Sequence, residues 1–350
     1  MRPCSRGRGR WMAVLLLAPL AAWAAPPASP PEPHFVSRGG DAMGTFVQIR
    51  VYTTDEAGAE AAIDAALAEI ARLERLMTTW RPDSDLSRVN QAAGVAPVVV
   101  APETFECVQR ALEFSRLSQG AFDISYYALK GLWKFDEDLD PRLPDARELH
   151  RRLGLIDYRH IRLDPGARSI YLERPGMAIN LGGIGKGYAV DRATAILRDR
   201  GFRDAVVQAG GDLMLAGSQD GRPWKAGIRD PRGPREDYFA IAAVTDHAFS
   251  TAGDYERFFI KGRRRYHHII DPRTGYPARA ARSVTVWAPD ATTADGLDDA
   301  ILILGPERGL ALVESLPGVG AVIVDAGNRV HVSSRLKGLI TLVHPPTPGL

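Results

Sequence analysis

Cysteine is nearly absent from this chain. Of two in 350 residues, Cys4 lies in a basic N-terminal segment and Cys107 stands alone beyond it. One remaining thiol excludes an intramolecular disulfide, so packing must carry the stability. An excess of one charge is also missing: 44 Lys and Arg face 42 Asp and Glu, for a formal net of +2. That balance does not fit nucleic acid, whose phosphates need clustered cations. Long apolar runs are lacking too, since Trp11 to Trp23 is too short to span a bilayer. No repeat, low-complexity tract or long linker follows residue 35. What remains is roughly 320 residues of ordinary hydrophobic content, enough to bury one large core.

The first 24 residues have the pattern of a signal peptide. Arg2, Arg6, Arg8 and Arg10 form a charged start, an apolar stretch follows, and Ala22-Trp23-Ala24 offers a small-x-small cleavage site. No cysteine follows the apolar stretch, so lipoprotein processing is not expected; the alternative is an anchor that stays. Losing four arginines and no acids takes the formal net charge from +2 to −2. A periplasmic location is expected. Residues 25–34 are a proline-rich spacer, and 35–345 read as one domain.

Thr45 to Tyr52 alternates as a strand does, and Thr53 with Glu56 has the spacing of a capping box. Ala59, Ile63, Ala66, Ile70, Leu73 and Met77 then repeat at helical spacing. Helices are also predicted after Pro102 and over Asp145 to Leu153, and a hairpin across Asp164-Pro165-Gly166. Strands dominate from Ala205 onward, among them Leu213 to Ala216, Tyr266 to Ile270, Ser283 to Trp287 and Ala321 to Val324. Strands mixed with four or five helices, without regular βαβ alternation, predict an α+β fold. Trp80, at a helix exit, is either a core plug, the preferred reading from its position alone, or a flat surface for an aromatic ligand.

Asn180 to Asp191 is the most informative stretch. Gly182, Gly183, Gly185 and Gly187 stand between an apolar run, Met177 to Ile179, read as a strand end, and a helical pattern. Glycines let backbone N–H groups approach an anion, a helix N-terminus adds its dipole, and Lys186 adds a mobile charge. The bland alternative is a tight turn without a ligand. No known phosphate fingerprint fits, because Gly187 stands where a Walker loop needs Ser or Thr.

Two other stretches carry chemistry. Thr292 with Asp295 reads as a helix start, and Asp295 and Asp299, four apart, share a face with Asp298 beside them. Such a pair repels unless a hard cation joins it, as Mg²⁺ does with carboxylates and substrate phosphates. The alternative is a solvated acidic helix start. Tyr266 to Gly275 ends a strand in an Asp-Pro turn, where His268 is either a general base or a structural histidine.

These pieces together resemble the ApbE family of FAD:protein FMN transferases over nearly the whole mature length. The likeness rests on Ala42 to Thr45, Asn180 to Asp191, Ala209 to Asp212, Ser250 to Tyr255, His268 to Gly275 and Thr293 to Leu297. It implies a periplasmic, Mg²⁺-dependent enzyme that breaks the FAD pyrophosphate. FMN would pass to a Ser or Thr hydroxyl of a partner, of the kind found as subunits of membrane redox complexes, and AMP would leave. By the same likeness Met43, Trp80, Ala121, Phe122, Asp123, Asn180, Lys186 and Ile269 would contact FAD. The carbonyl of Gly183 and the side chains of Asp295 and Asp299 would hold metal, and His268 would be catalytic. Asn180 stands where the family usually has Asp, and Asp299 where it has Thr. Two other readings share the site: a flavin-binding or electron-transfer protein that transfers nothing, and an FAD pyrophosphatase giving FMN and AMP.

Overall fold

Eight strands form the frame, each antiparallel to its neighbour and in chain order across the sheet: His34–Ala42, Thr45–Thr53, Ala205–Ala209, Asp212–Ala216, His247–Gly253, Ala281–Ala288, Gly320–Asp325 and Val330–Val332. The computed structural model describes residues 32–135 and 139–350. The leader and residues 25–31 of the spacer therefore lie outside the described residues. Pro33–Leu350 is one compact unit. The mixed, antiparallel architecture is the α+β fold expected.

Helices cover one face. The helix α1 (Glu56–Met77) packs on the first two strands. Its core-facing Ala59, Ile63, Ile70 and Leu73 are fully buried, opposite Val47, Ile49 and Val51. Each buried Ile or Leu contributes about 1.5–3 kcal/mol. Short α2 (Asp85–Gln91), α3 (Pro102–Leu117) and α4 (Ala146–Leu153) follow. Then α5 (Gly185–Asp199) lies against Ala205–Ala216, and α6 (Ala291–Ser315) against the strands from His247 to Asp325. Gly305, at φ 77° and followed by Pro306, breaks α6 into two rods. The described residues thus hold more helices than the four or five expected.

A second sheet, Ile340–Leu342 beside Tyr238–Val244 beside Trp224–Arg229, has its side chains clustered with Leu215, Phe249, Val322 and Val324 of the large sheet. No helix among the described residues is long and apolar enough to cross a membrane. Cys107 is buried in α3, and burial, with the charges of Asp295 and Glu106, pushes its thiol up, so it is not a nucleophile.

Three local expectations are corrected. The cap of α1 is Asp55, which accepts the Gly58 N–H at 2.9 Å, while Thr53 Oγ1 accepts the Asp55 N–H instead. The cap of α6 is Asp290, and the helix starts at Ala291, so Thr292 and Asp295 make no capping box. Met177 to Ile179 is no strand, although Met177 and Ile179 are buried. The Asn90 amide holds the Ile179 N–H at 2.7 Å and its C=O at 3.0 Å, standing in for a neighbouring strand.

Candidate active site

The glycine stretch is a turn leading into α5, and its shape follows from four hydrogen bonds. Asn180 Oδ1 accepts the Gly182 N–H at 2.7 Å, and Asn180 Nδ2 donates to Thr79 Oγ1 at 3.3 Å. The Leu181 carbonyl accepts from Ile184 and Gly185. Gly187 is where α5 meets α6: a Cβ there would lie 2.2 Å from the Ala291 carbonyl oxygen and 2.7 Å from Asp295 Cβ. Only glycine fits that approach, which is why no Walker-type hydroxyl follows Lys186.

Across this contact four carboxylates meet one lysine. Lys186 Nζ lies 2.7 Å from Asp212 Oδ2 and 3.1 Å from Asp295 Oδ1. Asp295 Oδ2 accepts the Gly187 N–H at 2.8 Å. Asp212, Asp295 and Asp298 are buried, with ligand oxygens within 4.8 Å of one another. Ser250 Oγ sits between Asp212 and Asp298, hydrogen-bonded to the first and 2.5 Å from the second. A hydroxyl has one hydrogen to give, so one of these carboxyls must donate to it. Burial and the charges of Asp299, Asp295 and Asp212 push Asp298 far above the carboxylate range, which makes Asp298 the protonated partner.

Burial and Asp212 raise Asp295 to about 7, against the pull of Lys186. Asp299 is half-buried and rises to about 6, by burial first, with Lys186 opposing and Asp212 adding. For Lys186 burial works downward, but the charges of Asp212 and Asp295 outweigh it and keep the ammonium charged. Lys186 Nζ and Asp212 Oδ2 form a close ion pair inside the cluster. Crowded, buried carboxylate oxygens of this kind fit a hard divalent cation. Asp299 Oδ2 comes within 3.1 Å of where a Gly183 Cβ would be, so Asp299 and Gly183 also meet.

Asp191 of α5 locks the frame. Its carboxylate accepts the Ala291 and Thr292 N–H groups, each at 2.8 Å, and the Thr292 hydroxyl at 2.5 Å. These bonds pin the start of α6 to α5 and fix where Asp295 points.

Of the other expected residues, Met43 and Phe122 lie against the glycine turn. Met43, at φ 53°, packs near Gly185, and its N–H donates to Glu74 at 2.9 Å. Phe122 is buried against Gly183, beside buried Ala121. The Asp123 carboxylate is committed to Ser125 and the Tyr158 N–H, so it shapes the wall rather than reaching inward. Trp80 is no core plug: it is 83% exposed, with Lys130 Nζ 5.6 Å from its ring centre. Ile269 is buried, and its carbonyl accepts the Ala278 N–H.

His268 lies just past its strand, which ends at His267. His267 is the structural histidine, buried with Nε2 on the Ala278 carbonyl at 2.8 Å. His268 Nδ1 has no partner, and burial, then the charges of His267 and Arg257, depress its pKa to about 3. Its imidazole is neutral at any ordinary pH. Arg257 joins this wall to Met43-Gly44, with Nη2 3.5 Å from the Gly44 carbonyl.

Sequence reasoning missed Asp212 and Ser250 as members of the site. Both lay in noted motifs, but only the strand register, which opposes Ser250 to Asp212, brings them together.

A model of the ApbE family matches residues 43–323. An FAD:protein FMN transferase of Treponema pallidum (strain Nichols) is 35% identical over 317 residues, covering 85% of this chain and 86% of its own. Among solved structures, the ApbE protein of Thermotoga maritima superposes with a TM-score of 0.79 at 33% identity, over 87% of this chain and 99% of the other. The flavin transferase ApbE of Vibrio cholerae gives 0.76 at 30% identity, over 88% and 99%. With glycine turn, lysine, carboxylate cluster and histidine all set in one such frame, this chain belongs to the ApbE family.

Proposed function

We propose that this protein transfers FMN from FAD to a Ser or Thr hydroxyl of a partner protein, releasing AMP. The observation that carries the reading is Lys186, held at the glycine turn among Asp212, Asp295 and Asp298, with a neutral histidine whose Nδ1 has no partner nearby. The family membership supports FAD as the substrate.

The turn receives the pyrophosphate, with Lys186 offsetting its charge. Trp80 and Met43 would flank a ring of the dinucleotide. Gly183, Asp295 and Asp299 would hold Mg²⁺. Bound there, the ion would neutralise phosphate charge and stabilise the leaving oxygen. The acceptor hydroxyl oxygen attacks the phosphorus on the FMN side. The bond from that phosphorus to the bridging oxygen breaks, and AMP leaves with its electron pair. His268, uncharged, takes the hydroxyl proton. The acceptor belongs to the class of flavin-carrying subunits of membrane redox complexes, which fits export of the enzyme to the periplasm through residues 1–24.

Mass spectrometry of an acceptor incubated with enzyme, FAD and Mg²⁺ tests this. Added FMN mass with stoichiometric AMP is expected. Free FMN without modified acceptor would mean a pyrophosphatase, and intact bound FAD a flavin carrier.

A further inference from the structure

Tyr126 has no task in the reading above. It stands on the 3₁₀ turn Ile124–Leu129, which Asp123 caps through the Ser125 N–H at 2.9 Å. The Ile124 carbonyl accepts the Asn180 N–H at 3.0 Å, so this turn and the glycine turn are tied together. The phenol reaches over the glycines: a Cβ on Gly182 would be 3.9 Å from the Tyr126 hydroxyl oxygen.

That hydroxyl has no hydrogen-bond partner among the described residues. The next residue shows the contrast, since Tyr127 Oη is 2.7 Å from Thr79 Oγ1. Tyr126 is half-buried, so its free O–H can meet a bound acceptor. The charged groups acting on it are Asp299, Arg257 and Lys186, two of them cations. Burial, then Asp299, raises the phenol pKa, so the group is a donor throughout the working range. The Gly183 N–H, one residue on from Gly182, is likewise without a partner among the described residues. A donor hydroxyl, a backbone N–H and an ammonium converging on one turn call for an acceptor with several oxygens.

We propose that Tyr126 binds the nucleotide directly, its O–H donating to a phosphoryl oxygen of the diphosphate seated on Gly182–Gly183. The proposal rests on the FAD reading of the site and adds to it a residue that reads the phosphates and not the rings.

The test is Tyr126→Phe, which keeps the ring and removes one hydroxyl. Binding of FAD and of ADP is measured by titration, and riboflavin, which carries no phosphate, by competition. Melting temperatures of parent and variant are compared alongside. The expected result is an unchanged melt, FAD and ADP bound about tenfold or more weakly, as for a lost hydrogen bond to a charged group, and riboflavin unaffected. Equal FAD and ADP affinities in parent and variant overturn the proposal alone. An equal loss for riboflavin also overturns it, because the hydroxyl would then act through ring placement. A parent that binds neither FAD nor ADP overturns the site reading and this proposal with it.

Discussion

The Gly187 N–H donates to Asp295 Oδ2 at 2.8 Å, and the missing Cβ of Gly187 is what lets the two helices come that close. Phosphate turn and acidic helix are thereby one object. Gly187→Ala puts a methyl 2.2 Å from the Ala291 carbonyl, a backbone atom that cannot swing aside. The expected cost is about 3 kcal/mol or more, since overpacking here has no rotamer escape. Chemical denaturation read by circular dichroism checks it, and a variant as stable as the parent would mean that α5 and α6 shift freely.

Trp80 is expected to report flavin. At 83% exposed it contributes little to the core, so Trp80→Ala should leave the melting temperature within a degree or two. Intrinsic fluorescence of the parent should be quenched on adding FAD, and this variant should lose most of the quench and bind FAD several-fold more weakly. Unaltered affinity would place the flavin elsewhere.

For His268 the depressed pKa sets the pH behaviour. Transfer should fall about a hundredfold or more in His268→Ala, the scale of a lost general base, with FAD affinity nearly intact. The parent's rate should show no limb near pH 6.5, because an imidazole at about 3 is already neutral there. Stability behaves oppositely to an ordinary salt-bridged histidine: a folded pKa below the unfolded 6.5 means that stability is lost as pH falls from about 6.5 toward 3. His268→Ala should flatten part of that acid slope in melts. A rate limb at 6.5 would show that the imidazole is not buried in the working enzyme.

The sequence made legible whatever repeats locally. Strand alternation at Val47, Ile49 and Val51, the apolar face of α1 and the glycine turn all follow from near neighbours. Partners far apart in sequence were not legible. Ser250 meets Asp212 through strand register, and Asp298 reaches the same hydroxyl from a helix, so no spacing announces the trio. Met177 to Ile179 misled for a related reason. Its burial is that of a strand, but an Asn90 amide, 89 residues away from Ile179, takes the place of the ladder. Trp80 misled because an aromatic at a helix end has the same local pattern whether it plugs a core or stands exposed.

The acidic cluster gives the sharpest prediction. Asp295 at about 7 and Asp299 at about 6 have folded pKa values above the unfolded carboxylate range. The folded state therefore holds more protons than the unfolded one between about pH 4 and 7, and stability in EDTA should decline as pH rises through that window. Burial of the ionised carboxylates, with Asp212 adding to it, is the cause, so Asp299→Asn should raise the melting temperature in EDTA at pH 7.5. Mg²⁺ should reverse that order, because an ion bound only to the folded state adds stability by mass action, about 2.7 kcal/mol at a hundred times its Kd. Asp295→Asn should lose most of this Mg²⁺ shift and nearly all transfer, with partial recovery at high Mg²⁺. Asp299→Thr, whose hydroxyl still offers an oxygen, should keep both in good part. Thermal melts of the parent and three variants, in EDTA and in Mg²⁺ at pH 5 and 7.5, separate the contributions. If every variant shifts equally with and without the ion, the four aspartates are an acidic cluster that serves no metal, and the charge on the pyrophosphate is left to Lys186.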